Sequence, residues 1–219
     1  MQPENWIKNN QQQTNQKLKT MRKALAIVAL VAAMFVAGNV QAQSTIYAAY
    51  APETFVAGNN STNYQGFAIG FSQNIGLYKG LGVAVGGQFR MNMRSESSTL
   101  LVTTTTKENQ FLIDVPVLFN YGFAINRDFT IAPFVGPMFS LALAGNTKTS
   151  IGSSTTTYNW YGDNSSRNRF NIYAVLGADF KYKQFNLFGG YRFGLLDLDK
   201  NSNYVLKANG FFIGLGYTL

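Results

Sequence analysis

Five charged side chains interrupt runs of small or apolar residues in this sequence: Arg90, Arg94, Asp114, Asp179 and Arg192. An isolated charge among such neighbours is costly unless it finds an opposite charge and hydrogen bonds. The grouping therefore predicts a network in which Asp114 and Asp179 meet Arg90 and Arg192. Charges of this kind could also line a conducting path.

Other chemistry is restricted by residue type. The 219 residues include no histidine and no cysteine. A Ser-His-Asp triad, a histidine acid or base and a histidine zinc site are excluded, as are disulfides and thiolate sites. Asp163 and the close pair Asp197 and Asp199 lie in polar stretches without partner spacing and read as solvated loop charges. No nucleotide loop is present, because the "GGQF" and "GGYR" pairs fall inside extended segments. The reading assigns no catalytic residue, no metal ligand and no cofactor. The one binding candidate is aromatic: in "AGNTKTSIGSSTTTYNWYGDNSSRN", residues 144–168, Tyr158, Trp160 and Tyr161 could form a recognition surface or sit at a lipid–water boundary. Arg167 and Arg169 beside them suit anionic headgroups.

The elements that position these groups read as strands with no amphipathic helix. Segments 44–52, 64–76, 81–94, 109–123, 129–143, 169–181, 184–197 and 207–218 alternate with a period of two. Segments 77–80, 124–128 and 182–183 are short turns. Those at 53–63, 95–108, 144–168 and 198–206 are longer and rich in Asn, Ser, Thr and Gly, which predicts loops.

The two faces differ in kind. In "FLIDVPVLFNYGF", residues 111–123, one face holds Phe111, Ile113, Val115, Val117, Phe119, Tyr121 and Phe123, and the other holds Asp114, Pro116 and Asn120. In 81–94 the odd positions, including Val83, Val85, Phe89 and Met91, oppose Gly82, Ala84, Gly86, Gln88 and Arg90. In 209–219, Phe211, Ile213, Leu215 and Tyr217 oppose Gly210, Gly214 and Gly216. A face of small residues and isolated charges suits a crowded interior, whereas a large aromatic face suits lipid. This pattern predicts an all-β, eight-stranded antiparallel up-and-down transmembrane β-barrel, with short periplasmic turns and long external loops. Closure follows because an open edge would leave backbone groups unpaired in hydrocarbon. Inward glycines allow curvature, and Gln88, Asn120, Tyr173, Phe188 and Phe212 are expected to fill the lumen. Pro116 and Pro133 each remove a ladder donor, so bulges or widened hydrogen bonds are expected there.

The N-terminus reads as processing signal. Residues 21–42, "MRKALAIVALVAAMFVAGNVQA", have a basic start, an apolar centre and a small-residue ending, the layout of a secretory signal peptide cut after Ala42. Residues 1–20 precede it as a polar extension, with Met21 as the natural start. The remaining chain, 43–219, carries 13 basic and 9 acidic side chains, a net of +4 against +8 for the whole. Basicity therefore gives little support to nucleic-acid binding.

At "FLIDVPVLFNYGF" followed by "FTIAPFVGPMFSLAL", the sequence resembles the Bacteroidetes outer-membrane beta-barrel domain family, of the PorT type, with OmpA-like eight-stranded barrels. The family's "I-P-L-L-L-K-Y" strand is matched by Val115 to Tyr121, and its "P-Y-V-G-A-G-P" by Pro133, Phe134, Val135 and Gly136, although Pro137 stands one position early. "VLGADFKY" at 175–182 and "YRFGLLDL" at 191–198 are similar to later family strands, while the chain ends in Leu219 rather than an aromatic. The resemblance implies a location in the bacterial outer membrane, contact with its lipid and insertion by the outer-membrane assembly machinery. It carries over no catalytic residue. The implied role is a monomeric structural, surface or envelope-assembly component, with an unidentified envelope or surface protein as the remaining partner. A narrow porin-like channel for small solutes and a soluble secreted ligand-binding barrel stand as alternatives.

Overall fold

The computed structural model describes residues 42–99, 103–161, 167–200 and 205–219. The chain divides into Met1–Val40 and Gln41–Leu219. The extension at 1–20 and nearly all of the signal segment at 21–42 lie outside the described residues, as does Asp163.

Eleven strands follow one another: β1 Ala42–Tyr50, β2 Glu53–Ala57, β3 Asn60–Tyr78, β4 Leu81–Thr99, β5 Thr103–Tyr121, β6 Phe123–Ala124, β7 Phe129–Ile151, β8 Ser154–Asn159, β9 Phe170–Tyr182, β10 Phe185–Gly194 and β11 Leu206–Thr218. Every pairing is antiparallel. Neighbours run β1-β11-β10-β9-β7-β5-β4-β3-β2 in a single sheet. β1 pairs with β11 along one edge, Ala48 opposite Leu215, and with β3 along the other, Ala48 opposite Ile69. β2 likewise meets both β11 and β3.

The count of eight is thus corrected to eleven, for identifiable reasons. Pro52 has no N–H to give the ladder, and the strand expected at 44–52 stops at Tyr50. β2 then resumes inside what was expected to be a loop. The backbone between them is still held, since Ala51 N donates to Gly66 O at 2.7 Å. Gly122 separates β5 from β6. The third addition, β8, lies within the expected 144–168 loop and pairs with β7 from Asn146↔Asn159 to Ile151↔Ser154.

The other long-loop expectations also shrink. β4 continues to Thr99 and β5 begins at Thr103, so most of 95–108 is ladder. Composition misled there, because threonine is a strong strand former. Its hydroxyls pair across strands in Ser97–Thr105 at 3.2 Å, Thr99–Thr103 at 3.3 Å and Ser150–Thr155 at 3.0 Å.

Exposure separates the faces. Ile69, Phe119, Val135, Phe185, Ile213 and Leu215 are turned outward, Leu215 with 68% of its surface free, while Arg90, Asn92, Asp114 and Ala208 on the opposite face are fully covered. The Asp114 side of "FLIDVPVLFNYGF" is therefore the inside. Val85 departs from its expected lipid exposure: it is buried, as is Val115. Both lie by a stretch around Pro116 where the β4–β5 ladder lapses between Val85↔Val117 and Gln88↔Asp114.

No bulge forms at Pro116 or Pro133. Pro133 sits opposite Ala178 in unbroken register. At Pro116 the β5–β7 pairing stops at Met138 and resumes at Phe119↔Val135 with register kept, so missing bonds rather than an inserted residue absorb the absent donor. The β5–β7 register shift falls instead between Phe111 and Leu112, which face Ala144 and Ala142 and leave Leu143 unpaired.

The lipid-facing assignment has a direct test. Leu215→Arg is expected to cost about 2–4 kcal/mol in urea unfolding from bilayers. Thr156→Arg, on exposed β8, should change stability by less than about 0.5 kcal/mol.

Candidate functional site

The interior of the sheet is organised in layers, the most polar of which is a buried charge cluster. Arg90 on β4 projects inward because its strand alternates around outward Phe89 and Met91. Its Nε donates to Asp114 Oδ2 at 2.8 Å and its Nη1 meets Glu53 Oε2 at 2.9 Å, with all three side chains fully buried. Asp114 on β5 also accepts from Ser140 Oγ at 2.5 Å and Gln88 Nε2 at 2.8 Å. Glu53 on β2 accepts from Asn92 Nδ2 at 2.5 Å and from the Tyr173 hydroxyl at 2.7 Å. Arg192 on β10 places its Nε 3.7 Å from Glu53 Oε1 and donates from Nη2 to the carbonyls of Ala51 and Pro52. Both guanidiniums lie over the Tyr173 ring, at 5.7 and 6.0 Å.

Of the four charges grouped from the sequence, Arg90 and Asp114 are in contact, and Arg192 joins Arg90 through Glu53. Asp179 stands apart: it pairs with Lys181 at 3.8 Å and accepts from Asn186 Nδ2 at 3.0 Å. Glu53 is the residue that sequence reasoning missed. It lay in a stretch assigned to a loop, and Asp179 already supplied a second acid for the two arginines, so charge balance gave no signal for it. With Glu53 the cluster holds two cations and two anions.

Above this layer, toward the long-loop end, an aromatic lid covers the interior. Trp160, 2% exposed, donates from Nε1 to Thr147 Oγ1 at 2.7 Å. Its ring meets Tyr64, which meets Phe55 in turn, and the Arg167 guanidinium lies 4.0 Å above the indole. Gly145 leaves room for this, because a Cβ there would come within 2.7 Å of Trp160 Cε3. Tyr161 accepts a hydrogen bond from Gln110 at 2.6 Å. Of the three aromatics singled out from the sequence, only Tyr158 is exposed; Trp160 and Tyr161 belong to the lid. Arg169 does not point to headgroups, since its guanidinium binds the carbonyls of Ala142, Leu143 and Tyr161.

The lid's edge carries a further acid. Glu108 lies three residues beyond Phe111, outside the apolar belt, and accepts from Tyr64, Arg94 and Thr147. Burial pushes its carboxyl up, but these hydrogen bonds outweigh burial and hold it below the usual carboxylate range. Asp197 is also held low, by the backbone N–H groups of Asp199 and Leu206. It organises its own turn. Among the described residues no group of three or more His, Cys, Asp or Glu could hold a metal ion.

The sequence matches the family described as "Outer membrane protein beta-barrel domain" over residues 31–200. The chain belongs to this family and is a bacterial outer-membrane protein. This sets aside the soluble secreted barrel and corrects the narrower resemblance: the match is to the general outer-membrane barrel domain, and eleven strands do not fit the eight-stranded Bacteroidetes PorT type. No curated protein sequence matches the chain. Solved structures similar to it include Ail, the attachment invasion locus protein of Yersinia pestis, in complex with the heparin analogue sucrose octasulfate, at 17% identity over 81% of this chain and 99% of that one, TM-score 0.48. Neisserial surface protein A is 13% identical over 80% and 97%, TM-score 0.41. The outer membrane enzyme PagL is 12% identical over 78% and 97%, TM-score 0.34.

Two outcomes test these layers. Arg90→Met strands Glu53 and Asp114 without their shared cation and is expected to cost about 3–5 kcal/mol; the double variant with Asp114→Leu should recover part of that loss in the same unfolding measurement. Glu108 has a folded pKa below its unfolded value, so its contribution is complete at neutral pH and disappears as pH falls through the folded value. Exchange of the Trp160 indole N–H, followed by NMR, should accelerate on acidification below about pH 4, and Glu108→Gln should flatten that dependence.

Proposed function

We propose that the protein is a non-catalytic surface component of the outer membrane, a blocked barrel whose long-loop end lies outside the cell and whose short turns lie in the periplasm. The observation that carries this reading is the buried cluster of Arg90, Asp114, Glu53 and Arg192 beneath the Trp160 lid. These side chains occupy the interior and use their donors and acceptors on one another, which leaves them poorly suited to pass solute. Outer-membrane barrels commonly have short periplasmic turns and longer external loops, which supports the orientation.

Beyond the lipid-facing belt, β4, β5, β7 and β8 continue as a ladder that presents Ser154, Thr155, Thr156, Thr157 and Tyr158 to water. Such a projecting sheet offers backbone and hydroxyl groups to another envelope or surface molecule. The barrel then serves as its anchor.

The orientation is checked by treating intact cells with a membrane-impermeant amine reagent. Lys107 and Lys148, exposed and opposite one another in the β5–β7 register, should be labelled, whereas Lys79 and Lys183 in the short turns should be protected until the envelope is opened. The reverse pattern would overturn the orientation. Reconstituted folded protein should show no discrete conductance steps, and regular steps would replace the blocked barrel with a channel.

A further inference from the structure

Below the charge cluster, toward the short-turn end, the interior changes character. Tyr47, Phe134, Phe188 and Phe212, with Leu118 and Met138, surround a cavity of about 130 Å³. The rings contact one another: Tyr47 meets Phe188 edge-on at 5.3 Å, and Phe212 lies 6.3 Å from both Phe188 and Phe134. Wall glycines admit them. A Cβ at Gly177 would come within 2.6 Å of Phe134 Cζ, one at Gly190 within 2.9 Å of Phe212 Cζ, and one at Gly214 within 2.3 Å of Phe188 Cζ. The rings are thereby drawn against the wall, and the space beside them stays unfilled.

This cavity has an entrance. Asn74, Asn120, Ala132 and Lys181 line both it and a wider vestibule of about 920 Å³ among the short turns. At its other end the charge cluster closes it, so it is a blind pocket. Arg192 belongs to that end: it lines the cavity, is 1% exposed, and its buried Nε faces Glu53 Oε1 at 3.7 Å, too far for a hydrogen bond, with no other acceptor in reach. A buried donor without a hydrogen bond is destabilising, so an acceptor delivered there is favoured.

We propose that this blind pocket is a binding site for a small uncharged molecule, a single aromatic ring carrying one oxygen acceptor, admitted from the short-turn end. Size sets the ring, because an apolar cavity of about 150 Å³ in another protein takes up benzene. The four aromatic walls supply edge and face contacts to it. The oxygen accepts from Arg192 Nε. Charge balance sets neutrality: Arg90 and Arg192 are already matched by Glu53 and Asp114, and Asp179 and Lys181, which also line the cavity, are matched to each other, so a ligand carboxylate or ammonium would have to break an existing pair to gain a counterion. The proposal does not depend on the surface role or orientation proposed above, since the pocket is defined by the barrel's own interior.

The test uses the folded protein in lipid nanodiscs with 4-fluorobenzyl alcohol as probe, followed by ¹⁹F NMR against protein-free nanodiscs to remove partition into lipid. Saturable binding is expected, with nuclear Overhauser contacts from the probe to the methyl group of Met138 and none to those of Met91 and Met93 on the other face of β4. Ala84→Leu and Ala132→Leu fill the pocket from separate strands, and each should weaken binding by about tenfold or more. Heat-modifiable gel mobility shows which variant has folded, and the Met138 contact in the unaltered protein stands without either. 4-Fluorotoluene, which lacks the acceptor, should bind about tenfold more weakly. Binding that never saturates, or contacts confined to Met91 and Met93, would place the probe in lipid and overturn the site. Equal affinity for the two probes would remove Arg192 from the recognition.

Discussion

Hydrocarbon cannot hydrogen-bond, and the architecture follows from that constraint. Backbone groups must be paired along every strand, and side chains that meet lipid must be apolar. The apolar belt that includes Phe119, Phe185, Ile213 and Leu215 satisfies the second demand. Charges are then forced to the opposite face, where space is short and water is scarce. There they must neutralise one another: Arg90 does so with Glu53 and Asp114 at ordinary bond lengths, and Arg192 with Glu53 across 3.7 Å. The same constraint explains the glycine wall, since large residues cannot sit on both faces of a tightly curved sheet.

Much of this was legible because period-two alternation is a strong signal when one face is uniformly large and apolar. The phase of "FLIDVPVLFNYGF" could be read directly, and Asp114 could be set opposite lipid. Strand limits were harder. Thr103 to Thr106 and Ser154 to Thr157 look like loop by polarity, yet β-branched side chains and cross-strand hydroxyl pairs extend the ladder past the membrane. Water, rather than lipid, meets both faces there, so the alternating pattern vanishes although the strands continue.

The interior was less legible than its walls. Asp179 shares the inward phase of Asp114, but it lies well along β9 toward the short turns, where Lys181 and Asn186 are its neighbours. Phase gives the face and not the height; height depends on stagger between strands. Glu53 illustrates the complementary difficulty, since its place in the cluster depends on β2, which exists only because Pro52 breaks the strand before it. Trp160 was marked for its chemistry as a surface aromatic, but the turn after β8 folds it over the interior, where Gly145 makes space. No local pattern encodes that return.

The balanced cluster joins distant parts of the chain. Glu53 comes from β2, near the beginning of the described sheet, and Arg192 from β10, close to its end; β2 meets β11 across the seam. A nascent sheet whose seam has not yet zipped leaves Arg192 without its acid, while Glu53 stays beside Arg90 because β2 is held to β4 through β3. Closing the seam and giving Arg192 its counterion are therefore the same event.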